Sequence, residues 1–248
     1  MSKRKAIFHA MIAALAILGA ALCACAQTQG NAVKQNKREE STTTTKAAKP
    51  DEKTPATADD AIYTYEFEQP QFTIRHIIIR HDATGHGEIS FERQGDTEPI
   101  VDPLELSESA RARIINLWET LRFLDSSENY QSERQYPHLG TMRLKMKRGT
   151  QERSAEFNWT NNPNAKSLTD EYRRASNQAI FVFDISVARQ NQPLDSPKIL
   201  DGLDSYISRN EISDPKQLIP LLRDLTIDER LPLIARNHAE RILKKLEK

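Results

Sequence analysis

The chain has 248 residues, with 35 lysines and arginines against 35 aspartates and glutamates, so its formal net charge is zero. That balance, without any basic block, argues against nucleic acid as a partner. Only two cysteines are present, Cys23 and Cys25, both near the N-terminus, so an internal disulfide is not expected to staple the rest of the chain.

Residues 1–25 read as an export signal. Lys3, Arg4 and Lys5 form a basic head, and Ile7 to Leu22 is apolar except at His9 and Gly19. Small residues follow, which completes the pattern of an exported chain. The apolar run, about sixteen residues, is shorter than the roughly twenty that a membrane-spanning helix needs. Leu22-Cys23-Ala24-Cys25 resembles the lipobox of bacterial lipoproteins, with Leu three places before a cysteine and a small residue just ahead of it. The resemblance implies that Cys25 becomes the first mature residue and the lipid-attachment site. The protein would then be anchored to a membrane on the periplasmic side or at the outer membrane of a bacterium. Ala26, where an inner-membrane protein of that class would carry Asp, leans toward the outer membrane. Two alternatives stay open. Ala24-Cys25-Ala26 is also an A-x-A site that would release a soluble periplasmic or secreted protein beginning at Gln27, and an uncleaved anchor is the third reading.

Residues 26–61 are rich in Thr, Lys, Ala, Gln and Asp and hold no aromatic side chain. Such a stretch buries too little apolar surface to offset its ordering entropy, so a disordered tether is expected.

Residues 62–192 carry the pattern of an α+β domain. Phe72, Ile74, His76 and Ile78 alternate with Thr73, Arg75, Ile77 and Ile79, and Ile89 and Phe91 alternate with Glu88, Ser90 and Glu92, across turn chemistry at Asp82 to Gly87. Ile100 and Val101 allow a further short strand. Ser107 then reads as an N-cap, and Ala110, Ile114, Leu117, Trp118 and Leu121 recur at helical spacing. The plan repeats. Met142, Leu144 and Met146 pair through Arg148-Gly149-Thr150 with Ala155, Phe157 and Trp159, and Glu152 and Glu156 face Lys145 or Lys147. Ser167 with Asp170 suggests the cap of a long helix. Two ββα units are expected in one antiparallel sheet, with the helices on one face.

Residues 193–248 read as a helical segment. Ser196-Pro197 and Asp214-Pro215 pair a capping residue with proline, and Thr226 with Glu229 forms a capping-box pattern. Leu231, Ile234, Ala235, His238, Ile242 and Leu246 make the stripe of the last helix. Asp214 to Leu246 resembles a single HEAT-like helical hairpin. A stack needs roughly three such repeats, so a packed hairpin is expected rather than a solenoid.

No nucleotide-binding glycine motif or nucleophile elbow occurs, and no cofactor is implied. Arg80-His81-Asp82 resembles the Arg-His motif of histidine phosphatases, but a second strand follows where that family has a helix. His81, Asp82, His86 and His138 offer the donor types of a metal-dependent or hydrolytic site, though not at a known ligand spacing, so no metal site is assigned. The long connection Leu124 to Gly140 places Tyr130, Arg134, Tyr136 and His138 together, and long loops with tyrosines suit contacts to a protein or a sugar. These four are the candidate binding residues. The expected role is non-catalytic binding of an envelope protein or cell-wall component. A hydrolase using His81, Asp82, His86 and His138 is the alternative, and a structural spacer is a third.

Overall fold

Period-two alternation and turn chemistry produce the strands β1 (Ala61–Glu68), β2 (Ile74–Asp82), β3 (His86–Arg93), β4 (Ile100–Glu105), β5 (Thr141–Arg148) and β6 (Gln151–Phe157). In the computed structural model, described for residues 60–248, they form one antiparallel sheet in the order β4-β3-β2-β1-β5-β6. The export signal, Cys25 and nearly all of the expected tether lie outside the described residues. Ala61, expected to end the tether, is buried and opens β1.

The fold is α+β, as the alternating pattern predicts, but β1 was not anticipated. It lies at the centre of the sheet and joins the two expected hairpins. Tyr63, Tyr65 and Phe67 face His81, Ile79 and Ile77 of β2 on one side and Met146, Leu144 and Met142 of β5 on the other. Within the sheet, the two hairpins therefore meet only through this strand. β4 also runs further than Val101. It carries Pro103 at the edge of the sheet, where a missing N–H leaves no gap in the ladder and discourages pairing with another chain.

Two helices cover one face. Ser107 caps α1 (Glu108–Thr120) by accepting from the Ala110 N–H, and Ala110, Ile114 and Trp118 face inward. The long helix α2 (Pro163–Asn191) begins earlier than Ser167. Asn162 is the cap, and its side-chain oxygen accepts from the N–H groups of Asn164 and Ala165. Asn-Pro thus outcompetes the Ser167 pattern, because proline at the first turn has φ already set for a helix.

The 29 residues of α2 span roughly 43 Å and serve two cores. Ala165, Leu168, Tyr172 and Ala175 pack against the sheet and α1. Phe181 and Ile185 belong to a second core built with α3 (Ser196–Ser208), α4 (Ile219–Ile227) and α5 (Leu233–Leu246). Helices α4 and α5 form the expected hairpin-like pair. Their caps differ from expectation. Ser196 is the first residue of α3, with a buried hydroxyl. Asp214 accepts from the Lys216 N–H but opens a short 3₁₀ turn before α4. Thr226 lies inside α4, where its hydroxyl donates to the Arg223 carbonyl. In α5 the buried stripe is Ala235, His238, Ala239 and Ile242, while Ile234 points outward.

Among the described residues, no helix covers the other face of the sheet. A chain of charges crosses it from β6 to β2: Glu156 to Arg143 (2.6 Å), Arg143 to Glu66 (2.6 Å), Glu66 to His76 (3.1 Å), His76 to Glu92 (3.3 Å) and Glu92 to Arg75 (2.9 Å). Lys145 pairs with Glu152 at 2.7 Å, as expected, whereas Glu156 is taken by Arg143. Burial alone would lower the His76 pKa, but hydrogen bonds and charge from Glu66 and Glu92 outweigh it and hold the imidazole above its ordinary value. Among the described residues, no helix is long and apolar enough to cross a membrane.

Candidate functional site

The two ends of β1 are built differently. At its start, Tyr63 stacks on His81 with ring centroids 5.2 Å apart. His81 is buried and reaches Tyr172 of α2: its Nε2 lies 2.8 Å from the Tyr172 hydroxyl, and its Nδ1 lies 2.7 Å from the Asp82 carbonyl. A carbonyl only accepts, so Nδ1 carries the proton and Nε2 accepts from Tyr172. That hydroxyl in turn accepts from the Trp118 Nε1–H at 2.9 Å. Every polar group in the chain Trp118–Tyr172–His81–Asp82 is satisfied, with the imidazole neutral. Burial pushes the His81 pKa below its ordinary 6.5, against the opposing pull of the Asp82 carbonyl.

Gly87 sits opposite His81 in the ladder. A Cβ at that position would lie 1.9 Å from the Arg80 carbonyl oxygen, so only glycine fits. A recess of about 190 Å³ opens beside this network, lined by Tyr63, Trp118, Glu119, Arg122 and Arg148 among others, but His81 does not line it.

The expected quartet does not converge. His81 is sealed in the core. Asp82 turns back to bind Thr84 (2.8 Å to its N–H, 2.6 Å to its hydroxyl), and these bonds hold its pKa below the usual carboxylate value. His86 is exposed and contacts Thr84 at 2.8 Å. His138 belongs to the other end of the sheet, where Glu68 faces Thr141. That pair lies five positions along β1 from the Tyr63–His81 pair, roughly 17 Å of strand. Among the described residues, no group of three or more His, Cys, Asp or Glu side chains is placed to hold a metal ion.

The connection from α1 to β5 is bolted onto the sheet along its length, starting level with Tyr63, where Arg153 pairs with Met146 and Met146 with Tyr63, and ending at the far end of β1. Arg153 of β6 faces inward beneath it. Its guanidinium lies 4.5 Å from the Phe123 ring centroid and 5.3 Å from that of Tyr130, and it donates to the carbonyls of Phe123 and Glu128, each at 2.6 Å. Tyr130 is 2 % exposed and stacks on Phe123, so it belongs to the core and offers no ring to a ligand. Gln131 and Asn158 exchange two hydrogen bonds, Asn158 also accepts from the Tyr136 N–H at 3.0 Å, and Ser132 N–H donates to the Trp159 carbonyl at 2.9 Å. Gly140, at φ +91°, lets the chain turn tightly over Phe67, where a Cβ would meet the ring at 2.5 Å. Gln69 ties the β1–β2 turn to the same place by donating to the Pro137 carbonyl at 2.9 Å.

On this fixed base a set of apolar rings faces water. Trp159, expected to continue the inward row of β6, instead leaves the strand after Phe157 and is 38 % exposed. Its ring meets Tyr136 edge-on at 5.2 Å, and Tyr136 meets His138 at 6.0 Å. Leu139 and Phe72 are exposed at 39 % and 44 %, with Phe72 6.0 Å from Phe67. Arg134 is exposed on the same loop, and its carbonyl accepts from Ser132 and Gln131. Of the sequence-derived candidates, His138 and Arg134 are therefore exposed and Tyr136 is half-buried. Trp159 and Phe72, both expected inside strands, join the patch: Phe72 lies in the turn before β2, which begins only at Ile74. The signal for Trp159 was Asn161-Asn162-Pro163 close behind it, which ends the strand and starts α2.

No known family model matches this chain, and no curated protein sequence matches it.

Proposed function

We propose that the chain is a non-catalytic envelope lipoprotein that binds a protein or cell-wall component through its aromatic end. The observation that carries this reading is Trp159, held beside Tyr136 by a bolted loop yet left open to water. Large rings that are rigidly placed and exposed give contact area with little ordering entropy on binding. Neutral amides from Gln131 and Asn158 frame the patch, which suits hydroxyl-rich or peptide partners. The anchoring part of the reading rests on the N-terminal residues, with Cys25 as the attachment site and a membrane as the resident surface.

The test uses the full chain with a C-terminal tag in its own cells. Sedimentation with purified cell-wall sacculi and in-cell crosslinking are each compared with a Tyr136→Ala/Trp159→Ala double variant. Specific capture that disappears in the double variant, with circular dichroism unchanged, is the expected result. Equal capture by both forms contradicts the surface, and no specific capture by either contradicts the binding role. Cys25→Ser should move the protein from the membrane fraction to the soluble one; continued membrane retention would contradict the lipid anchor.

A further inference from the structure

The recess of about 190 Å³ beside the buried Trp118–Tyr172–His81 chain has a lining of mixed character. Trp118, Phe123 and Met146 give it apolar walls, with Trp118 edge-on to Phe123 at 4.7 Å. Four charged residues share the lining: Arg122 and Arg148, and Glu119 and Asp125. Three of them sit around the short turn that ends α1. Arg122 adopts the left-handed region at φ +44°, its N–H donates to the Glu119 carbonyl at 2.8 Å, and its carbonyl accepts from the Asp125 N–H at 2.9 Å. A non-glycine residue held in that region costs energy, and such positions gather at binding sites.

Arg148 comes from the end of β5 and differs from the other partly buried arginines of the sheet. Arg75, Arg93 and Arg143 each hold a carboxylate, and Arg153 holds two carbonyls. Arg148 forms no ion pair among the described residues. Its Nε is sealed from solvent, while the terminal nitrogens of its guanidinium stay reachable. Charges of both signs act on the Tyr63 hydroxyl: burial raises its pKa above the ordinary 10.0, Arg148 opposes that rise and Glu119 adds to it.

The lining sets three conditions on an occupant. A partly buried guanidinium has lost water without gaining a partner, and a carboxylate that meets its terminal N–H groups restores the balance. Glu119 and Asp125 repel a bare anion and attract an ammonium. The volume equals the share of about six waters, which suits a molecule the size of alanine.

We propose that this recess binds a free amino acid of about alanine size, with its carboxylate on Arg148 and the Tyr63 hydroxyl and its ammonium facing Glu119 and Asp125. The site is separate from the aromatic end and does not depend on any partner bound there.

Alanine, as each enantiomer in turn, is titrated into the purified full chain and followed by saturation-transfer NMR of its methyl group. Propionate, which lacks the ammonium, and ethylamine, which lacks the carboxylate, are the comparison probes. Saturable binding of at least one enantiomer is expected, with both comparison probes at least about tenfold weaker, the discrimination that roughly 1.4 kcal/mol provides. Arg148→Gln and Glu119→Gln should each weaken alanine binding about tenfold or more. Propionate or ethylamine binding as tightly as alanine, undiminished binding in either variant, or no saturable binding of either enantiomer would each overturn the proposal. Glu119 is exposed, so Glu119→Gln keeps the test decisive if Arg148→Gln does not fold.

Discussion

The chain's two tryptophans mark opposite ends of β1 and opposite uses of the same side chain. Trp118 is 1 % exposed, meets Phe123 edge-on at 4.7 Å and donates its indole N–H to Tyr172. Trp159 is 38 % exposed, and no hydrogen bond from its indole N–H is present among the described residues. One end of the sheet closes its polar groups into a chain and excludes water. The other fixes its backbone just as firmly and leaves its rings outside. The contrast separates rigidity from burial: the loop Leu121–Gly140 is held by Arg153, Gln131 and Asn158, so its exposed rings are not the result of a loose segment. An apolar surface kept open on a rigid base is the usual mark of a contact site.

The largest effect expected from this contrast is on stability. Trp118→Ala should lose about 3–5 kcal/mol, the usual cost of emptying a large buried ring, while Trp159→Ala should lose on the order of 1 kcal/mol because its ring is already partly hydrated. Urea unfolding of both variants reads the difference, and equal losses would erase the distinction between the ends.

Next in size is Tyr172→Phe. The ring shape is kept, but the Trp118 Nε1–H and the His81 Nε2 lose their shared partner, which should cost about 1–3 kcal/mol. A neutral effect would mean that the hydroxyl does not hold the closed end together.

The pH dependence should show two histidines acting with opposite signs. His81, with its pKa lowered by burial, contributes stability that is present above 6.5 and lost as pH falls through its folded value. His76, with its pKa raised by Glu66 and Glu92, contributes stability that is present below 6.5 and lost as pH rises through its folded value. In urea midpoints measured across neutrality, His76→Gln should flatten the alkaline limb and leave the acid limb as it was. A change confined to the acid limb would reverse the assignment. Smallest of all, Arg143→Ala on the open face should shift stability by no more than about 1 kcal/mol, since its partners are partly solvated.

Much of this architecture was legible in the residues. The alternation in Met142–Met146 and Ala155–Phe157 and the Ser107 cap gave strands and a helix where they stand. β1 was hidden because Tyr63, Tyr65 and Phe67 adjoin a polar stretch, and a strand with a buried face differs little from a loop edge in so short a window. Its central place depends on two hairpins needing a common neighbour, which no local pattern encodes. Trp159 was misplaced because alternation tells which face a residue takes while the strand lasts and says nothing of where the strand stops. The candidate loop stood out by its length and tyrosines, but Tyr130 and Tyr136 look alike in sequence. Only the inward Arg153 decides that the first is core. Likewise the His81–Tyr172 contact joins residues 91 positions apart, beyond the reach of any spacing rule.

The most direct test places a photoreactive benzophenone side chain at position 136, and separately at position 116 on the exposed surface of α1, in the intact chain in its own cells. A defined adduct from position 136 that is lost when Trp159→Ala is added, with none from position 116, is the predicted result. Adducts of equal yield from both positions, or none from position 136, would contradict the claim that the open aromatic end is where this protein meets its partner.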